Sequence, residues 1–210
     1  MKPLILGMGP NRSHPADPWH PNALSTANLC RLIMGNAADR AEVERHFEIA
    51  DLNQHWHWVE GLGDSIQPNE AEGTLRALIA GGALRGGRKT FLLGEQVTNF
   101  LFAFLRRTDS SLARDAWRIL PKCSRQRLCT DDAEARIGAR LGYYDFVAIP
   151  VWHPRILQDR DVQMPPGWQQ RMMNTIRAAG GLSPARFKRS PDQVLAGEKR
   201  SRVDPPFPFY

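Results

Sequence analysis

The sequence predicts an α/β fold built on a central four-stranded, mostly parallel sheet, and three observations predict it. Apolar runs carrying β-branched or aromatic residues stop abruptly at 3–8, 47–52, 89–93 and 145–151, as buried strands do. Helical patterns lie between them, and alternation of strand and helix makes parallel pairing through helical crossovers the simple connection. The composition, 42% apolar over 210 residues, suits one domain large enough to bury a sizeable core.

The first strand, in "KPLILG", ends at Gly-Met-Gly-Pro and feeds a Pro-broken polar loop to position 22. Helical patterns follow at 23–34 and 38–46, the latter with Asp39 as a candidate cap, before the second strand, "FEIADLN". A third helix is expected at 69–79, capped by Asn69 and stopped by Gly81-Gly82. "GALRGGRK" resembles a phosphate loop at a glance, but Arg88 stands where a lysine is needed and the run precedes a strand instead of following one. A turn into the third strand is the better account. Helical patterns at 96–106, less clearly at 131–141, and at 168–179 flank the fourth strand. Residues 1–182 therefore form the domain. The remainder, 183–210, is a basic, Pro-containing tail without periodicity, ending "DPPFPFY".

A net charge of +6 points to a polyanionic partner. The three cysteines, Cys30, Cys123 and Cys129, are too few and too odd for a disulfide framework or a four-thiolate metal site. No run reaches the ~20 apolar residues of a membrane span, and Lys2 leads straight into a strand with no signal-like segment. A cytoplasmic monomer with no membrane partner is expected. "GMGPNR" begins like a dinucleotide fingerprint, but Arg12 replaces its third glycine and Pro10 interrupts the turn, so no cofactor is expected. In "NQHWHWVEG", His55 and His57 alternate with Trp56 and Trp58, which places both imidazoles on one face if a strand continues there. No third ligand is evident, so the expectation is no metal, and a lid or an aromatic patch beside a cleft.

Ligands of an open parallel sheet gather outside the carboxyl ends of its strands. Two such ends are distinctive: Gly7-Met8-Gly9-Pro10 near the start, and "YYDFVAIPVWHPRIL", carrying His153, near the end. A strand ending in Gly-x-x-Pro and a later strand ending in His-Pro resemble the uracil-DNA glycosylase superfamily. "FEIADLN", with Asn53 last, is similar to that family's second strand, and "KTFLLGEQVTNFLF" to its third strand and following helix. The resemblance spans about residues 3–178 in order and spacing, although each motif is short.

The resemblance implies a three-layer α/β/α sandwich and a monofunctional DNA glycosylase, acting on double- or single-stranded DNA. Such an enzyme must flip a nucleotide, read it and stabilise charge developing on the departing base. By this likeness Gly7, Met8, Gly9 and Pro10 form the base pocket with Asn53 as reader, and His153 donates to the pyrimidine O2. Arg155, Ile156 and Leu157 stand where the family inserts a loop into the minor groove. The chain also departs from the family. The uracil enzymes read Gly-Gln-Asp-Pro-Tyr, whereas here Gly9 replaces the water-positioning Asp and Asn11 the aromatic gate. Asp17 and Asn11 are the candidates for the water-positioning role. The missing gate opens the C5 side to a larger base, including a sugar-bearing 5-hydroxymethylcytosine of phage DNA. Trp19 and His20 are candidates to stack on the base. Arg125 and Arg127, with Arg106, Arg107, Arg114, Arg118 and Lys122, can track phosphates. No lysine nucleophile appears in the two loops, so hydrolysis by water is expected. Two alternatives stay open: a noncatalytic DNA-binding or base-sensing module on the same fold, and a nucleotide-processing enzyme on a generic doubly wound sheet.

Overall fold

A computed structural model describes residues 1–10, 12, 14–15, 24–34, 40–108, 135–137, 146–151 and 168–186. The elements in chain order are β1 (Leu4–Gly7), α1 (Leu24–Met34), α2 (Arg40–Glu44), β2 (Glu48–Asp51), β3 (Trp58–Val59), β4 (Gly63–Asp64), α3 (Pro68–Ala80), β5 (Arg88–Leu93), α4 (Glu95–Thr108), β6 (Ala135–Ile137), β7 (Phe146–Val151) and α5 (Trp168–Ala179). The main sheet has the order β2-β1-β5-β7-β6, and its first four strands are parallel. These are the four strands expected from the apolar runs.

The fifth strand corrects the helical reading of 131–141. Ala135–Ile137 pairs antiparallel with β7, Ala135 opposite Ala148 and Ile137 opposite Phe146. Backbone pairing with a distant strand overrides a weak local helical pattern there. The short edge strand also explains Pro150. Val151 O accepts from Gly94 N at 2.8 Å, so the amide groups of Val151 face β5 and those of Pro150 face the other way. On that side the described residues of β6 reach only as far as Ala148, so among them no ladder bond is forfeited by a residue without an N–H.

Alternation along the strands divides the core in two. Leu4, Leu6, Leu92, Phe146 and Ala148 pack against Ala71 and Leu75 of α3 and Val97, Leu101, Phe104 and Leu105 of α4. Ile5, Phe91, Leu93, Val147, Ile149 and Val151 face Leu29 and Ile33 of α1, Val43 of α2 and Met172, Met173 and Ile176 of α5. Helices on both faces of a parallel sheet make a three-layer sandwich. Each fully buried Leu, Ile or Phe contributes roughly 1.5–3 kcal/mol of transfer free energy. Phe47, entering β2, meets Phe91 edge-on with ring centroids 6.5 Å apart. Its ring also fills the space a side chain at Gly180 would need, so a Cβ there would sit 2.4 Å from the ring.

The caps differ in one place from the sequence expectation. Gln67, not Asn69, caps α3: its backbone is extended, its side chain accepts from Glu70 N at 2.8 Å, and Pro68 takes the first helical position. Proline's fixed φ starts the helix two residues ahead of the better-known capping residue type. Gly81 and Gly82 end the helix as read, with Gly82 at φ +74°. The "GALRGGRK" run is a turn into β5, as expected. Among the described residues no helix is long and apolar enough to cross a membrane.

Candidate functional site

Leu6 lies level with Ala50 of β2 and Leu92 of β5, and Leu92 with Pro150 of β7. One residue later all four strands end, at Gly7, Asp51, Leu93 and Val151, along a single edge. From β1 the chain passes to β2 on one side, and from β5 to β7 on the other. The four parallel strands thus have the 2-1-3-4 winding of a doubly wound sheet, whose ligand crevice opens where the connections diverge, between the ends of β1 and β5.

The loop leaving β1 is held against the loop leaving β2. Leu52 N donates to Gly7 O at 3.0 Å, one further step of the parallel ladder, and the next amide, Asn53 N, donates to Met8 O at 2.8 Å, which breaks the strand alternation and closes the two loops on each other. Two glycines permit this closeness. A Cβ on Gly7 would stand 2.2 Å from Asp51 Oδ1, and one on Gly9 would stand 2.5 Å from Asn53 O. Gly9 also has φ +124°, a conformation L side chains rarely adopt. Met8 is half-buried against the α3/α4 core, and Pro10 is buried. Gly7, Met8, Gly9, Pro10 and Asn53 are therefore together at this edge.

Asn53 is 2% exposed and its amide is engaged at both ends. Nδ2 donates to Ser65 O at 2.8 Å, and Oδ1 accepts from Gln67 N at 2.8 Å. In a capping box the third helical residue, here Glu70, would reach back to the cap's N–H. Asn53 takes that N–H instead and frees the Glu70 carboxylate. Glu70 Oε2 accepts from Gln54 N at 2.8 Å and His55 N at 3.1 Å, while Oε1 lies 2.9 Å from His55 Nδ1. The His55 side-chain bond, with the two amide donors, lowers the Glu70 carboxyl below its ordinary value of 4.5 against a smaller opposing effect of burial.

The expected alternation of His55 and His57 is corrected by these bonds. Residues 55–57 are not a strand; β3 starts at Trp58. Glu70 captures the successive N–H groups of 54 and 55, which a strand would point to opposite sides. Beyond it the chain forms the β3–β4 ribbon, fastened by Trp56 Nε1 donating to Asp64 Oδ1 at 2.8 Å and by Gln96 Nε2 donating to Asp64 O at 3.1 Å. Trp58 and Leu62 stay exposed on this ribbon. Among the described residues no cluster of three His, Cys, Asp or Glu can hold a metal ion.

Asn11, Asp17, Trp19, His20, His153, Arg155, Ile156, Leu157, Arg125 and Arg127 lie outside the described residues, as do Asp39, Arg114, Arg118, Lys122, Cys123 and Cys129. Arg107, one of the expected phosphate contacts, makes an ion pair with Glu72 in α3. Sequence patterning missed Asp51, Asp64 and Glu70. The last was findable, since Gln67-Pro68-Asn69-Glu70 has the spacing of a capping box. Comparison with family models, with curated proteins and with solved structures finds no match.

Proposed function

We propose that this chain is a monofunctional DNA glycosylase of the uracil-DNA glycosylase kind, hydrolysing the N-glycosidic bond of a flipped, modified pyrimidine. One observation carries the reading: the Gly7–Pro10 loop, Asn53 and the end of the strand that leads to His153 share one sheet edge at the doubly wound crossover. Glycosidic hydrolysis needs a reader for the base and a donor for charge developing on it, set beside a loop whose backbone admits a base closely. Gly7 and Gly9 provide such a loop. Beyond its two bonds to described residues, Asn53 has one more Nδ2–H and one more Oδ1 lone pair, the donor and acceptor that reading a base edge takes. His153 donates to the pyrimidine O2, and Asn11 leaves the C5 side open to bulky 5-substituted cytosines.

Genomic DNAs of different modification content, incubated with the protein and mapped for alkali-labile sites, test this reading. Abasic sites at 5-substituted cytosines, lost in His153→Ala by about 10²–10³ in rate, are expected. No abasic site in any DNA would overturn it. A second reading, a noncatalytic base-sensing module that binds DNA, is favoured by the structural employment of the Asn53 amide and by the closure of position 9 to any side chain. Salt-dependent DNA binding without cleavage would support it.

A further inference from the structure

Position 9 cannot supply the carboxylate that orients water in the uracil enzymes, because a Cβ there would collide with the Asn53 backbone. Among the described residues of this edge, Asp51, Asp64 and His55 are the groups that can take the proton of the attacking water in its place. Asp64 is occupied with the Trp56 indole N–H, and Asp51 is wedged beside Gly7 on the face that carries α1 and α2. His55 differs from both. It lies two residues past Asn53, within about 7 Å of chain. Its ring is 77% exposed, yet fixed by Glu70 on one side.

Resting on the glycosylase reading, we infer that His55 is the general base of the hydrolysis and Glu70 its positioning residue. A carboxylate only accepts, so Nδ1 carries the hydrogen and donates it to Glu70 Oε1. Nε2 is then the nitrogen with the lone pair, and no described residue bonds to it. Glu70 is itself held by the Gln54 and His55 amides and by its place in the first turn of α3. A carboxylate that fixes the tautomer and orientation of an imidazole is the arrangement that makes histidine an effective base near neutral pH. In the step, the water oxygen bonds to C1′ of the flipped deoxynucleotide while Nε2 takes a water proton. The electron pair of the C1′–N bond leaves with the base, and that anion is protonated. The imidazolium returns its proton to solvent, leaving free base and an abasic deoxyribose.

The test uses full-length protein on a DNA that wild type converts to abasic sites, with single-turnover rate and DNA affinity measured separately. His55→Ala is expected to slow the rate by about 10² or more with affinity within about twofold, and free imidazole to restore part of the rate. Glu70→Gln keeps acceptors for the Gln54 and His55 amides but presents an N–H to Nδ1, which moves the ring hydrogen to Nε2. Its rate should fall comparably, the ¹⁵N shifts of His55 should report the changed tautomer, and Glu70→Asp should recover part of the loss. Wild-type rate in His55→Ala overturns the inference and leaves the glycosylase reading standing. So does a loss confined to Asp51→Asn. Absence of abasic sites with wild type overturns both.

Discussion

The two edges of the sheet are tied together by very different polar residues. At the amino edge Arg88, its side chain 3% exposed, donates from Nε to Lys2 O at 2.7 Å and from Nη2 to Glu48 Oε2 at 2.6 Å, joining the starts of β1, β2 and β5. A weaker bond reaches Ala83 O, and Lys2 Nζ donates to Glu44 O at 2.7 Å. At the carboxyl edge Asn53 and Glu70 do the joining, between the β1 loop, the β3–β4 ribbon and α3. The amino edge turns its donors inward onto its own carbonyls. The carboxyl edge spends its donors on orienting a loop, and leaves an imidazole facing solvent. Rigidity at one end and presented chemistry at the other are what a doubly wound sheet needs to hold a ligand at the strand ends.

The sharpest break in that contrast is Arg88→Met. It leaves the Lys2 carbonyl without its charged donor and Glu48 without its partner, and stability should fall by about 2–3 kcal/mol. The loss is moderated because Glu48 is half exposed and stays hydrated. Urea denaturation measures it, and no activity readout is needed.

Asn53→Ala comes next. Ser65 O loses a donor and Gln67 N an acceptor, a cost of about 1–3 kcal/mol, with faster amide hydrogen exchange concentrated in residues 54–67. If exchange rises evenly through the domain, Asn53 is part of the global core and the two edges are more alike than their bonds suggest. Gly9→Ala tests the same loop from the other side. Positive φ and the approach of the Asn53 carbonyl should together cost about 1–3 kcal/mol, read from the thermal midpoint.

The smallest effect is electrostatic. The Glu70 carboxyl is depressed below 4.5, so the unfolded chain takes up its proton first on acidification. Its contribution is complete above that ordinary value and disappears as pH falls through the lower folded value. Wild type should therefore exceed Glu70→Gln in stability by about 0.2–1 kcal/mol at neutral pH, the gap closing in acid. Parallel pH–stability curves for the two proteins would remove Glu70 from the account.

Much of the scaffold is legible in local pattern. The four parallel strands and the helices at 23–34, 38–46, 69–79, 96–106 and 168–179 follow from apolar runs and helical spacing, within a residue or two at most ends. The failures are elements whose reason is distant. β6 exists because β7, about ten residues later, offers an unpaired edge; β3 and β4 exist because Trp56, Asp64 and Gln96 fasten a ribbon too short to carry a pattern. At the site, the strand ends at Gly7 and Asp51 were readable from the apolar runs, and the grouping of Gly7 to Pro10 with Asn53 was what the family resemblance implied. The use of the Asn53 amide was not, since its partners at 65 and 67 lie beyond a loop whose path sequence does not encode.

The sequence by itself determined which segments are buried in the sheet, which face of each helix is apolar, and which glycines and prolines terminate them, because these depend on side-chain period and on local steric limits. Tertiary structure alone decided that Arg88 is an internal clamp, that Gly9 has no room for an acid, and that Glu70 holds His55. Each of those depends on groups far apart in the chain being brought within contact or hydrogen-bond distance, and proximity of that kind has no signature in linear spacing.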